Sequence, residues 1–234
     1  FQLLDTPWRP QALAEMIVAY EAALPAGGWP NWVIGSHDAP RIAGRLGERQ
    51  ARVAMMLLLT LRGTPTLYQG DEIGIGKVDI PPDRVRDTQD LRQPGLGLGR
   101  DGSRTPMPWD ASAFAGFSSV EPWLPLNSDW RQRNVARQSD DPGSMLALTR
   151  SLLALRRARP ALALGDFALV HADEAVLAFT RRHGSERLGV ALNLTGQEAP
   201  CPLDGRVLLS TIDADRPAGR LRANEGAVFA LEGD

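Results

Sequence analysis

The sequence predicts an α/β region followed by an all-β region. Short apolar runs alternate with helical patterns up to about residue 160, which is typical of parallel βαβ units with right-handed crossovers. From Gly165 onward the period changes to short β-type segments separated by turn clusters such as HGSE, LDG and NEG. We therefore expect an α/β domain over residues 1–162 and a small antiparallel β-sandwich domain over 163–234.

Five segments define the α/β region. Apolar side chains at helical spacing, with proline or glycine at the ends, predict three helices, and short apolar runs predict two buried strands. The helices are expected at 10–24, 49–62 and 141–160, and the strands at 31–36 and 64–74. Asp140 or Asp141 is expected to cap the last helix. Residues 75–141 carry proline, glycine and charge with little periodicity, which predicts a long loop.

The all-β region contains five short segments rich in apolar and β-branched residues. Their spacing predicts an antiparallel sheet. The segments are FALVH (167–171), AVLAFTR (175–181), RLGVALN (187–193), RVLLST (206–211) and AVFALE (227–232).

Composition excludes several classes of protein. The chain has 234 residues and a net charge of -2, so it lacks the basic excess that nucleic-acid binding requires. Cys201 is the only cysteine, which excludes an internal disulfide. The apolar run 53–61 is far shorter than the roughly 20 residues that span a bilayer, and no signal-peptide pattern follows Phe1. We expect a cytoplasmic protein without nucleic-acid or membrane partners, and a chain that begins within a longer one.

The adjacent residues His37 and Asp38 follow the first predicted strand. A fixed carboxylate can stabilise positive charge that develops on a substrate, and an imidazole can bind its polar groups. The alternative is a loop aspartate beside a histidine that is merely satisfied. The pair alone does not decide between these interpretations.

Wider segments resemble a known family. They are similar, in order and spacing, to three blocks of glycoside hydrolase family 13, and most of all to its α-glucosidase branch, which includes oligo-1,6-glucosidases and maltases. The segments are WVIGSHDAPRIAGRLG (32–47), GTPTLYQGDEIG (63–74), and RDGSRTPMPWD (100–110) with AGF (115–117) and EPWLP (121–125).

The resemblance implies roles for four residues. Asp38 matches the third catalytic carboxylate, which stabilises the oxocarbenium-like transition state, and His37 matches a histidine that binds hydroxyls of the glucosyl unit in the -1 subsite. Arg41 matches an arginine near the same pocket. Arg104 matches the arginine that closes the pocket floor at the non-reducing end of the sugar. Ser36 departs from the family, which usually has asparagine before the His-Asp pair.

The resemblance also implies that part of the active site is missing. Retaining glycosidases need a nucleophile and a general acid/base, which the family carries after barrel strands four and five. Glu15 and Glu21, on a predicted surface helix, are poor substitutes. The FQLL segment resembles the region of strand six, so the chain is expected to hold about strands 6–8 of a (β/α)8 barrel, whereas a closed barrel needs about 250 residues.

The sequence leaves several alternatives open. Gln69, Asp71 and Glu72 are expected either to contact sugar or to cap and pack loops. The protein is expected to be an α-glucosidase with α-glucoside substrates, a transglucosidase or sucrose-acting relative, or a non-catalytic scaffold. The implied mechanism needs no cofactor and no metal. Exposed strand edges predict association with the rest of the barrel or with a second copy.

Overall fold

The computed structural model describes residues 2–212 and 217–232, which fall into two compact units. One unit comprises Phe1–Val33, Arg52–Thr66 and Leu148–Asp234, and the other comprises Ile34–Ala51 and Leu67–Ala147. Within the described residues no helix is both long and apolar enough to cross a membrane.

The chain contains both α-helices and 3-10 helices. The α-helices are α1 (Gln2–Asp5), α2 (Pro10–Ala23), α3 (Ile42–Thr60), α4 (Thr88–Arg92), α5 (Val135–Ser139), α6 (Met145–Ala158) and α7 (Pro160–Leu164). Short 3-10 helices lie at Asp71–Ile73, Pro82–Arg84, Asp101–Ser103 and Ala113–Gly116. The predicted long loop therefore contains several short helices.

The parallel strands are shorter than the apolar runs suggest. Strands β1 (Asn31–Val33) and β2 (Thr64–Thr66) pair in parallel, with Trp32 opposite Pro65. The prediction of a strand over 64–74 is wrong beyond Thr66, because Gly70 has a φ of 92° and the following residues form a 3-10 helix. Gln2–Asp5, which overlap the segment expected to resemble the strand-six region, form helix α1.

Helix α3 begins earlier than predicted and is interrupted at Gly47, whose φ is 77°. A left-handed residue inside a helix interrupts the hydrogen-bond ladder, and glycine adopts it at little cost. At the other end, Arg156 donates to the carbonyl oxygens of Leu59, Leu61 and Gly63. Arg181 donates to that of Thr60. These arginines satisfy carbonyl groups that a helix C-terminus otherwise leaves without partners.

Helix α6 confirms the predicted helix but not its cap. The Oγ of Ser144 accepts from the backbone N–H of Ala147 at 3.0 Å, which is the N-cap contact. Asp141 lies further out and accepts from the N–H of Gly143 at 2.8 Å. The predicted stop at Pro160 is confirmed, since that residue begins the separate helix α7.

All five predicted β segments form one antiparallel sheet. Its order is β3-β4-β5-β9-β7, and β6 pairs with β8 in a second sheet. The strands are β3 (Asp166–Ala172), β4 (Val176–His183), β5 (Glu186–Asn193), β6 (Ala199–Pro200), β7 (Arg206–Ser210), β8 (Arg220–Leu221) and β9 (Gly226–Ala230). Both sheets contribute to one apolar cluster, in which Ala199 and Leu221 join Phe229. The result is the small β-sandwich that the sequence predicts.

Candidate functional site

The predicted pair His37 and Asp38 lies in a tight loop shortly after β1. The backbone N–H of Asp38 donates to Oγ of Ser36 at 3.2 Å, and Ser36 forms an isolated bridge with Ala39. Serine therefore supplies the polar group that holds this turn. The side chains of His37 and Asp38 are 66% and 52% exposed, and Nε2 of the histidine lies 3.2 Å from Oδ2 of the aspartate. The loop thus presents an imidazole and a carboxylate together.

Two arginines converge on the other oxygen of Asp38. Nη2 of Arg104 lies 3.0 Å from Oδ1, and Nη1 of Arg100 lies 3.2 Å from the same atom. Arg104 also donates through Nε to the carbonyl oxygen of His37 at 3.0 Å. The structure therefore brings together three of the four residues that the sequence singles out, and adds Arg100.

Arg100 is held from behind by Asp87. Its Nε and Nη2 donate to the two carboxylate oxygens at 2.7 and 2.9 Å, and its backbone N–H donates to Oδ2 at 2.8 Å. The Asp87 side chain is 1% exposed. The hydrogen bonds from Arg100 hold the pKa of Asp87 well below its usual range, and Asp87 in turn raises the pKa of Arg100. Both groups are therefore charged at neutral pH.

Asp101 fixes the turn that carries Asp87. Its Oδ2 accepts from the backbone N–H groups of Arg86 and Asp87 at 2.6 and 2.8 Å. The next turn is tied to the Asp38 loop, because Oγ of Ser103 donates to the carbonyl oxygen of Ala39 at 2.7 Å. The 100–105 segment and the 36–41 loop thus form one hydrogen-bonded assembly.

Arg41 lies in the interior rather than at the surface, with 1% of its area exposed. Its guanidinium donates to the carbonyl oxygens of Gln69, Gly102 and Thr105, and to Oγ1 of Thr105 at 2.9 Å. Burial lowers its pKa. Arg41 therefore links the loop of Asp38 to two other segments.

Asp71 is buried beneath the same loop. Its Oδ1 accepts from the N–H of Ile42, the first residue of α3, at 3.1 Å. A Cβ atom placed on Gly35 would lie 1.9 Å from Oδ2, so only glycine leaves room for the carboxylate. Burial raises the pKa of Asp71 to about 6. These contacts favour the loop-packing interpretation of Asp71. For Glu72 the same interpretation is favoured by the 2.7 Å hydrogen bond that Oε2 accepts from the backbone N–H of Gly70.

The hydrogen bonds to Asp38 hold its carboxylate as a preorganised negative charge. Arginines occupy Oδ1 of Asp38, whereas Oδ2 lies beside the imidazole of His37. Such a fixed carboxylate can stabilise a developing cation without reorganising. Sequence reasoning missed Arg100 and Asp87, although the paired arginines of RDGSR were a usable signal. Among residues 2–212 and 217–232 no group of three or more His, Cys, Asp or Glu could hold a metal ion.

Comparison with known proteins identifies the family. Residues 3–165 match the family described as alpha amylase, catalytic domain. The chain belongs to this family, glycoside hydrolase family 13, as its motifs predict.

Similar sequences carry two kinds of name. A probable alpha-glucosidase of Rhizobium meliloti (strain 1021) is 35% identical over 229 residues, covering 95% of this chain and 39% of the relative. The amino acid transporter heavy chain SLC3A1 of Homo sapiens is 35% identical over 231 residues, covering 94% of this chain and 32% of the relative.

Similar solved structures include an enzyme named for glucosyl transfer and a complex with isomaltulose. The alpha-glucosyl transfer enzyme XgtA has a TM-score of 0.85 and 33% identity, with 98% of this chain and 45% of that chain covered. An inactive double mutant of MutB in complex with isomaltulose has a TM-score of 0.84 and 25% identity, with 94% and 46% covered. This chain spans less than half the length of each of these four proteins.

Proposed function

We propose that the chain carries part of the active site of a retaining α-glucosidase, which releases glucosyl units from the non-reducing end of α-glucosides. One observation carries the proposal: Asp38 is an exposed carboxylate whose Oδ1 is fixed by Arg100 and Arg104. Glycoside cleavage passes through an oxocarbenium-like transition state. A carboxylate fixed in this way stabilises that charge more than it stabilises the neutral substrate.

The neighbouring side chains have separate roles in this proposal. His37 is exposed beside Asp38 and binds hydroxyl groups of the glucosyl unit. Arg104 closes the pocket at the non-reducing end while holding Asp38 and the backbone of His37. Arg41, predicted from the sequence to bind substrate, is buried, and we propose that it acts by holding the loop in place.

The nucleophile and the general acid come from a preceding part of a longer polypeptide. Retaining enzymes need two carboxyl groups about 5 to 5.5 Å apart. Glu21 is already paired with Arg62 at 2.6 Å, which makes it unsuitable as either group. Residues 1–162 then form the last part of a (β/α)8 barrel, and 163–234 form a C-terminal β-domain of a cytoplasmic enzyme that needs no cofactor. The remainder of the barrel, or a second copy, covers the exposed strand edges.

Two alternatives have specific support. Transfer of the glucosyl unit to an acceptor other than water is supported by similarity to XgtA, which is named as an alpha-glucosyl transfer enzyme. Action on a disaccharide such as sucrose is supported by similarity to MutB, whose double mutant is in complex with isomaltulose. A non-catalytic interaction protein is supported by similarity to the transporter heavy chain SLC3A1. The pairing of an exposed His-Asp site with two arginines favours an enzyme, because an interaction scaffold does not require it.

The test uses the longer polypeptide in which this sequence is encoded, together with residues 1–234 alone. Each is incubated with p-nitrophenyl α-glucoside, maltose, isomaltose and sucrose, and products are separated by chromatography. We expect glucose release by the longer protein and none by 1–234. New disaccharides would instead identify a transglucosidase. A folded longer protein without turnover contradicts the enzyme proposal. Activity of residues 1–234 that survives repurification contradicts the proposal that the nucleophile and the general acid lie outside them.

A further inference from the structure

We infer that Asp87 is a positioning residue for the reaction proposed above, acting through Arg100 on Asp38. The inference rests on the proposed function. Three residues carry it: buried Asp87 binds the guanidinium of Arg100 at 2.7 and 2.9 Å, and the remaining nitrogen of that group contacts Asp38 at 3.2 Å.

The geometry of the guanidinium makes this link directional. Asp87 binds one edge of the planar group, through Nε and Nη2. Two parallel hydrogen bonds fix the plane and the in-plane rotation of an arginine. Because the group is rigid, the position of Nη1 is then set, and Nη1 is the atom that contacts Asp38.

Asp87 is itself fixed by groups other than Arg100. Its Oδ1 accepts from the N–H of Gln89 at 3.0 Å, and its own N–H donates to Asp101 at 2.8 Å. Its side chain is almost fully buried. The carboxylate of Asp87 is therefore held independently of Arg100, whereas the 52% exposed Asp38 is fixed by the arginines themselves.

The ion pair of Arg100 with Asp38 is weaker than its ion pair with buried Asp87, as a positioning role for Asp87 requires. An exposed ion pair contributes little to stability by itself, because the entropy lost in ordering two side chains offsets most of the electrostatic attraction. The pair of Arg100 with Asp38 is of this exposed kind. Anchoring by Asp87 orders Arg100 in advance, so that only Asp38 must be ordered when the pair forms. Arg104 is anchored separately, through the carbonyl oxygen of His37.

The kinetic test compares Asp87→Asn with Asp90→Asn in the longer polypeptide. Asp90 is a matched control because it lies on α4, in the same segment, whereas the ion pairs of Arg100 are with Asp38 and Asp87. Misplacing a group near the reacting atoms costs up to about 10²-fold, so we expect kcat to fall by roughly 10- to 100-fold in Asp87→Asn with KM nearly unchanged. Asp90→Asn should retain normal kcat.

A double substitution separates positioning from general damage. If Asp87 acts through Arg100, adding Asp87→Asn to Arg100→Gln should cause little further loss. Losses that multiply contradict the inference, as does normal kcat in Asp87→Asn when Arg100→Gln is slow. If Asp87→Asn fails to fold, Asp87→Ser replaces it, because a serine oxygen can still accept from Gln89.

A second readout does not depend on activity. In residues 1–234 labelled with 15N-arginine, the Nε–H of Arg100 should exchange slowly with solvent, and Asp87→Asn should abolish that protection. Asp38→Asn should shift the same resonance, and Asp90→Asn should not. An Arg100 signal unchanged by Asp87→Asn overturns the inference. If the longer protein lacks glucosidase activity, the proposed function fails while this measurement still decides whether Asp87 orients Arg100.

Discussion

Nη2 of Arg104 lies 3.0 Å from Oδ1 of Asp38, although the two residues are 66 positions apart in the chain. The same guanidinium donates to the carbonyl oxygen of His37. One side chain therefore fixes both the backbone and the carboxylate of the candidate site. The orientation of Asp38 is thus a property of two distant segments, and substitutions in either should alter it.

Replacing Asp38 by asparagine should reduce turnover of the longer polypeptide strongly. Losing one preorganised electrostatic group costs about 10²- to 10³-fold in kcat in comparable sites. The measurement is the kcat for p-nitrophenyl α-glucoside, with Asp140→Asn as control because Asp140 is exposed and only its backbone is bonded. Near-normal kcat in Asp38→Asn removes this residue from the catalytic set.

Replacing Arg104 by lysine should lower kcat/KM by about 10- to 100-fold. Lysine keeps the charge but lacks the planar fork that reaches both His37 and Asp38, and hydrogen bonds to charged groups contribute about 1.5–3 kcal/mol. Arg137→Lys is the matched control, because the Arg137 side chain is exposed and its hydrogen bond to Asn134 is made by the backbone N–H. Equal kcat/KM in the two variants would show that the fork is dispensable.

Replacing Gly35 by alanine should destabilise residues 1–234 by about 1–3 kcal/mol, the usual cost of overpacking. The new Cβ would lie 1.9 Å from Oδ2 of Asp71, whose other oxygen is held by Ile42. Gly76→Ala is the control, since a Cβ there meets nothing within 4 Å. Urea unfolding measures both, and equal stabilities would show that the carboxylate can move away.

The pKa of Asp71 predicts a pH dependence of stability. Because burial raises this pKa from 3.8 to about 6, the folded state binds the proton more tightly than the unfolded state. The contribution of Asp71 to stability is therefore fully present below pH 4 and is lost as pH rises through 6. At 1.36 kcal/mol per pKa unit the loss is roughly 3 kcal/mol.

The variant Asp71→Asn isolates this effect. Other groups titrate equally in both proteins, so only the wild type loses the contribution of Asp71 as pH rises. The free energy of unfolding of the variant should therefore increase relative to that of the wild type between pH 4 and pH 7. Urea unfolding of 1–234 at several pH values measures it. A difference that stays constant with pH contradicts the raised pKa.

The sequence predicts the fold class and much of the site, for identifiable reasons. The five β segments follow from short apolar and β-branched runs that turn clusters separate. His37, Asp38 and Arg104 were singled out because they lie within the motifs that resemble the family. The strand over 64–74 was predicted too long, because apolar content does not reveal the left-handed backbone of Gly70. Contacts that depend on the geometry of loops cannot be predicted from sequence patterns of this kind. Arg100 meets Asp38 from 62 residues away, and no periodicity marks that approach.

The arginines at the end of α3 have a consequence for biosynthesis. The carbonyl oxygen of Thr60 receives its donor from Arg181, which is 121 residues later in the chain. At about 5–20 residues per second, the ribosome needs roughly 6–24 s to make that distance. During this interval water must solvate the last turn of α3. The helix therefore reaches its final hydrogen-bonded state only when β4, in the following antiparallel sheet, has emerged from the ribosome.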